Sequence, residues 1–434
     1  MVEVAPFKGI TYNKEKIGNL DDVMSPPYDI ISEEMQNKLY TKHQNNFVKL
    51  ILGKQFPSDT KGDNRYTRAK QLFDEWQENS ILSESEKNAI FPYKIEYILN
   101  NETRTMNGFF VLLRLDPDYK VVKAHEKTLS KPKADRLDLM RSCKANLEPI
   151  QLLYMDNKDT IGKMIDDGID TPILNIKGYD GFMHKLWKVE DEFLISKIVD
   201  ELSNKVLFIA DGHHRYQTAI NFADEMKKKT NISDEHAQFN YRMVILANIF
   251  DEGLAILPTH RFIKMPNLDL DDLLQKLQEY FIVEEKTIEK TDDNYDRVGK
   301  RIISEIETED KHKFALYSNK KYYVLTLKDE KIMDEFAKDR SEIWRTLDVS
   351  ILHKIVLENI LGINEGNLED HVRYTRVDGE AIQFVDEERF DISFLMNATK
   401  IDELKAIAEA GEHMPQKSTY FLPKMLSGLV MYKM

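Results

Sequence analysis

The run Asp211-Gly212-His213-His214-Arg215 brings together residue types that rarely adjoin without a purpose. Asp211 can accept a backbone N–H as a helix cap or hold Mg²⁺. Gly212 permits close approach of the backbone. Arg215 offers a planar fork that matches phosphate oxygens, and His213 and His214 can carry protons. Val206 to Ala210 ahead of the run is apolar, with the length and composition of a buried strand. Behind it, Ala219, Ile220, Phe222, Ala223 and Met226 recur at helical spacing. A strand feeding a helix through this turn aims the helix's unpaired N–H groups and positive dipole end at the turn's contents. Phosphate binds well in such a place, and open α/β sheets take ligands where a strand has just ended. The plainer reading is a capping Asp, a turn Gly and a surface His pair. A zinc site is disfavoured, because adjacent histidines share no helix face and neither H-E-x-x-H nor a Cys cluster accompanies them.

Four further segments carry similar chemistry. His125-Glu126 follows an apolar strand end, and Glu126 is a candidate general base whose proton affinity burial can tune. Asp135-Arg136 opens a helix; Asp135 can orient Arg136 or help bind metal, and Arg136 can bind phosphate. The alternative there is a capped helix with a surface arginine. Pro26-Pro27-Tyr28-Asp29 is stiffened by its prolines, which can fix Asp29 in a site or make only a turn. Pro258-Thr259-His260-Arg261 ends a strand and adds donors. Lys417-Ser418-Thr419 lacks the Gly-x-x-x-x-Gly of a P-loop, yet its ammonium and two hydroxyls can hold a phosphate or carboxylate.

Ala210-Asp211-Gly212-His213-His214-Arg215-Tyr216 resembles the signature of a family catalogued as a conserved domain of unknown function. The Pro-Pro-Tyr-Asp, His-Glu with Asp-Arg, Asn-Leu-Glu-Pro, Pro-Thr-His-Arg and Met-Pro-x-Lys-Ser-Thr segments match the same family. More distantly, the central run resembles the Gly-x-(His/Arg)-Arg box of the ParB/sulfiredoxin superfamily, some of whose members are free-serine kinases. The resemblance implies a ParB/sulfiredoxin-like catalytic core and a kinase that phosphorylates free L-serine, with pyrophosphate or a nucleotide as donor.

The remaining chain must position these residues. Residues 90–99 and 104–115 alternate like a hairpin around Asn100-Asn101-Glu102, which predicts antiparallel pairing in a mixed α/β sheet. Residues 46–53 read as a strand and 65–79 as an amphipathic helix. Expected organisation is a catalytic α/β domain over 1–266, a small α+β subdomain over 267–330, and a C-terminal region over 331–434 that completes the site with the Lys-Ser-Thr loop. The chain has 434 residues and a formal charge of −14, which argues against general nucleic-acid binding because no basic excess faces the phosphates. Cys143 is the single cysteine, so no intrachain disulfide forms. With no apolar leader and no membrane-length run, the expectation is a cytoplasmic protein without membrane partners, monomeric or homodimeric.

Phosphoryl transfer needs positioned cations, a carboxylate-held metal and a base for the attacking hydroxyl. Arg136, Arg215, His213, His214 and Lys417 supply cations. Asp211 supplies a ligand for an expected Mg²⁺, and Glu126 the base, with Asp29 or Asp135 next in line. His260, Arg261, Ser418 and Thr419 complete the predicted binding set. The absence of Walker and kinase glycine loops slightly favours pyrophosphate as donor. The alternative is a ParB-like nucleotide-binding regulator without turnover. A metal-dependent hydrolase built on Asp211, His213 and His214 is chemically possible, but no ligand spacing supports it.

Overall fold

Two positive-φ residues, Asn100 and Asn101, join the long strands Phe91–Leu99 and Glu102–Arg114 into the predicted hairpin. Such a two-residue turn follows the natural twist of the strands it connects. The structure is a computed structural model, and it describes residues 1–125, 130–232, 234–288, 294–308 and 312–434. Its contacts divide into two compact units. The first comprises Met1–Ala124, residues 130–255 and Pro423–Met434; the second comprises His125 and Ile256–Leu422.

The first unit is a mixed α/β sheet. Its strands are β1 (Val4–Ala5), β2 (Phe91–Leu99), β3 (Glu102–Arg114), β4 (Val122–Lys123), β5 (Ile150–Tyr154), β6 (Leu174–Lys177), β7 (Met183–Leu186), β8 (Leu207–Asp211) and β9 (Tyr241–Asn248). They lie in the order β4-β8-β5-β9-β3-β2-β7-β6, with β1 alongside β3. Only β4–β8 and β5–β9 run parallel. β8 reads as a run of apolar residues because both of its faces are covered. Leu207 and Ile209 are fully buried among Leu152, Val244, Leu246 and Ile220. Each such side chain contributes about 1.5–3 kcal/mol of hydrophobic stabilisation. The ladder between β8 and β5 shifts register between Ile209 and Asp211, and Asp211 pairs with Gln151. An irregularity of this kind re-aims the side chain at a strand end.

Three helices frame the end of β8: α1 (Arg65–Glu78), α2 (Ser130–Cys143) and α3 (His213–Thr230). α2 packs against both others. Residues 46–53, expected as a strand, instead form a short helix at Val48–Ile51. Asn46 starts it by accepting the Val48 N–H at 3.1 Å. Phe47, Val48, Leu50 and Ile51 are all buried, so the apolar run carried no period that separates strand from helix. The last residues return to this unit: Tyr432–Lys433 pairs with Ala145–Asn146.

The second unit has its own sheet, built from β10 (His260–Ile263), β11 (Phe281–Thr287), β12 (Lys313–Ser318), β13 (Lys321–Leu327), β14 (Val372–Thr375) and β15 (Ile392–Leu395). Their order is β11-β13-β12-β15-β10-β14. Pro258-Thr259-His260-Arg261 therefore opens a strand instead of ending one. Residues 267–330 do not stand apart, because their hairpin β12–β13 is bonded to β15 and through it to β10. The short helix Asp348–Ile351 continues as a π-helix over Leu352–Ile360. Among the described residues, no helix is long and apolar enough to cross a membrane.

Candidate functional site

The predicted strand–turn–helix is present, and its turn is built by one residue. Gly212 has φ +98°, in the left-handed region that favours glycine. A Cβ there would stand 3.0 Å from Nε of Arg215, so the guanidinium lies against the bare turn. α3 begins at His213 with no side-chain cap. Asp211 is therefore not the cap that residue type alone allows. Its carboxylate is instead held on one oxygen by Nη2 of Arg215 and on the other by Nζ of Lys424. Burial alone would raise the Asp211 carboxyl, but Lys424 and then Arg215 outweigh it and hold the group well below the usual carboxylate range. Arg215, 6% exposed, also donates to the carbonyl of Pro149. His213 is buried beside them, and its ring adds to the field that lowers Asp211.

A second ionic group adjoins the first. Arg136 donates to Asp135 at 2.8 Å, to Glu148 at 3.3 Å and to the carbonyl of Ile51 at 2.8 Å. The ring of Tyr28 covers its guanidinium with 3.9 Å between Cζ and the ring centre. Asp135 is shared with Arg65 and with the Tyr66 hydroxyl at 2.7 Å. Glu148 accepts from the Tyr28 N–H at 3.2 Å and from the Ser427 hydroxyl at 3.0 Å. Burial pushes the Tyr28 phenol up to about 12, partly offset by Arg136 and Arg215. Asp29 is exposed, and its charge acts on both Arg215 and Tyr28.

Two small cavities lie against these residues. One, of about 10 Å³, is lined by Asp211, Arg215, Lys424, Gln151 and Ser427 among others. Gln151 is fully buried, and neither of its amide atoms has a partner. The other, of about 30 Å³, is lined by Arg136, Glu148, Arg215, Thr218 and Arg242 with apolar neighbours. By the usual measure the first holds about one water and the second one or two.

In the second unit, the predicted donors take structural partners. His260 accepts the Met396 N–H at Nδ1 (3.2 Å), which leaves Nε2 to donate to Asp378 at 2.9 Å. Arg261 is 2% exposed and is held by carbonyls of Thr259 and Lys417 and by the Met396 sulfur. Burial lowers its proton affinity to about 10. Ser418 turns inward to the Pro415 carbonyl at 2.5 Å. Thr419 meets the ring of His125 at 3.0 Å. Lys417 is exposed, in a left-handed conformation (φ +56°).

The first unit thus joins Asp211, His213, Arg215, Asp135 and Arg136, while His260, Arg261, Lys417, Ser418 and Thr419 cluster in the second. His214 is partly buried on the first turn of α3, where its carbonyl accepts from Thr218. Glu126 lies outside the described residues. Sequence reasoning missed Lys424, Glu148, Arg242 and Gln151. Two of them carried a signal: Glu148 adjoins a proline within the Asn-Leu-Glu-Pro segment, and Lys424 follows Pro423 just beyond the Lys-Ser-Thr segment. Arg242 and Gln151 sit in runs that read only as core strand. Asp211 does not fit the expected Mg²⁺ role as it stands, because both its oxygens are taken by cations. Among the described residues, no group of three His, Cys, Asp or Glu side chains could hold a metal ion.

The model of a protein family described as a protein of unknown function, DUF1015, matches residues 4–350. Among curated proteins, none matches the chain. Solved structures that align include a free serine kinase in complex with AMP, 14% identical, covering 72% of this chain and 86% of that one at a TM-score of 0.33. SbnI with C-terminal truncation from Staphylococcus aureus is 12% identical, with 73% and 85% covered and a TM-score of 0.35. A conserved hypothetical protein from Pyrococcus furiosus is 13% identical, with 72% and 89% covered and a TM-score of 0.33. At these values the likeness says nothing about individual residues.

Proposed function

Because this chain belongs to the DUF1015 family, with that family's signature folded into a buried ionic turn, we propose that it is a phosphotransferase acting on the hydroxyl of free L-serine. The observation that carries this reading is the turn itself. Arg215 and Lys424 grip one carboxylate at the end of β8, with Arg136 on an adjoining wall. Phosphoryl transfer asks the protein mainly for positioned cations. Pyrophosphate is the favoured donor, with ATP or ADP as alternatives. The cavities at the turn are too small for any of these, so the donor displaces Lys424 from Asp211 and draws its ammonium onto a phosphate oxygen. Arg215 keeps Asp211 paired while this happens. The serine oxygen then attacks the terminal phosphorus, the bond to the leaving phosphate breaks, and a carboxylate takes the hydroxyl proton. Glu126 is assigned that last role from the sequence, with Asp29 next. Magnesium bound to the donor's phosphates would neutralise part of their charge.

The test is incubation with L-serine and each donor in turn, followed by assay for O-phosphoserine. The expected result is product that requires both serine and one donor. No serine-dependent consumption of pyrophosphate, ATP or ADP would sink the proposal.

A further inference from the structure

Among the described residues, the ion pairs of Arg65, Arg136, Arg215 and Lys424 beside β8 run to Asp135, Glu148 and Asp211, and Arg242 lines a cavity with Arg136 and Arg215. Each carboxylate is already engaged: Asp211 by two cations, Asp135 by two, and Glu148 by Arg136, Tyr28 and Ser427. Exposed Asp29 reaches Arg215 only as a charge from a solvent-facing position.

Arg242 stands on β9, is 4% exposed, and its side chain donates from Nη2 to the Glu148 carbonyl at 2.7 Å. Its Nε and Nη1 have no partner. Buried polar groups in folded proteins are almost always satisfied, and an unsatisfied charged donor costs more than a neutral one. Burial, with Arg215 and Arg136 nearby, lowers its proton affinity to about 9. A guanidinium nonetheless stays protonated at neutral pH. The cavity it faces is shared with Arg136 and Arg215 and measures about 30 Å³.

We propose that this cavity is a binding site for a small inorganic monoanion of chloride size, held by Arg242, Arg136 and Arg215. Volume excludes pyrophosphate and nucleotides, and three guanidinium groups disfavour a neutral water as the sole occupant. Apolar walls from Leu139, Met140 and Leu147 suit a weakly hydrated halide. The site stands whether or not the chain transfers phosphate, because it needs no substrate.

The test uses the full chain without donor or serine. Thermal midpoints are measured in sodium chloride, sodium bromide and sodium gluconate at equal ionic strength. Chloride and bromide should raise the midpoint saturably, by on the order of 2 °C, through mass action, and gluconate should not. The halide-specific shift should vanish in Arg242→Gln. Crystals of the unmodified chain grown in bromide give a check that needs no variant. An anomalous peak within contact distance of Arg242 supports the site; a water in the cavity with no such peak overturns it. Equal midpoints in gluconate and chloride overturn it as well.

Discussion

Asp211 and Arg215 show how a site residue can be visible in sequence while its role is not. Their spacing marked a strand–helix turn with anion chemistry, and the turn is there. The cap and metal roles open to Asp211 depended on what else reached its oxygens. Lys424, 213 residues away in the chain, decides that. No local pattern announces so distant a partner. Two outcomes follow for single residues. Arg215→Ala leaves Asp211 buried with one cation fewer and strands the Pro149 carbonyl. Breaking a buried pair from one side costs about 3–5 kcal/mol, which denaturant unfolding should register. For pH, the folded Asp211 carboxyl titrates below its ordinary value of 3.8. Its stabilisation is therefore complete above that value and is lost as pH falls through the lower, folded one. Asp211→Asn should be less stable at neutral pH, and its stability should fall less steeply on acidification below about pH 4 than that of the unmodified chain.

At the scale of elements, legibility followed periodicity. The hairpin β2–β3, strand β8 and helix α3 all stand near their expected places, because alternation and helical spacing each report which face is buried. Phe47–Ile51 failed for the converse reason. Every apolar side chain there is buried, so no face was polar enough to reveal the period. The junction between β8 and α3 rests on Gly212, whose φ of +98° and 3.0 Å approach to Arg215 admit no side chain comfortably. Gly212→Ala should cost about 1–3 kcal/mol from the strained backbone alone. It should also push the Arg215 guanidinium off the turn, and where added phosphate raises the thermal midpoint of the unmodified chain by mass action, that shift should be smaller in the variant. A variant with undiminished stability and ligand shift would show that the turn tolerates another conformation.

The whole molecule was the least legible, since composition does not reveal which distant segments share a sheet. Residues 267–330 looked separate because they are highly charged and carry no motif, yet β12 and β13 complete a sheet with β10, β14 and β15. The chain's last segment, Pro423–Met434, belongs with the first unit. It pairs Tyr432–Lys433 with Ala145–Asn146 and bonds Ser427 to Ser25 across an isolated bridge. It also brings Lys424 to Asp211. Ending the chain after Leu422 should therefore unfold or severely destabilise the first unit, visible as lost cooperativity in thermal melting. The most direct test of the phosphotransfer account is a ³¹P NMR time course with L-serine and pyrophosphate, ATP or ADP, run on the unmodified chain and on Lys424→Met. The account predicts an O-phosphoserine signal that grows only when serine and one donor are both present. It also predicts a rate lower by about 10²-fold or more without the Lys424 ammonium, the usual loss when one stabilising donor is removed. Donor signals that change no faster with serine than without it, or full-rate phosphoserine formation by Lys424→Met, would contradict it.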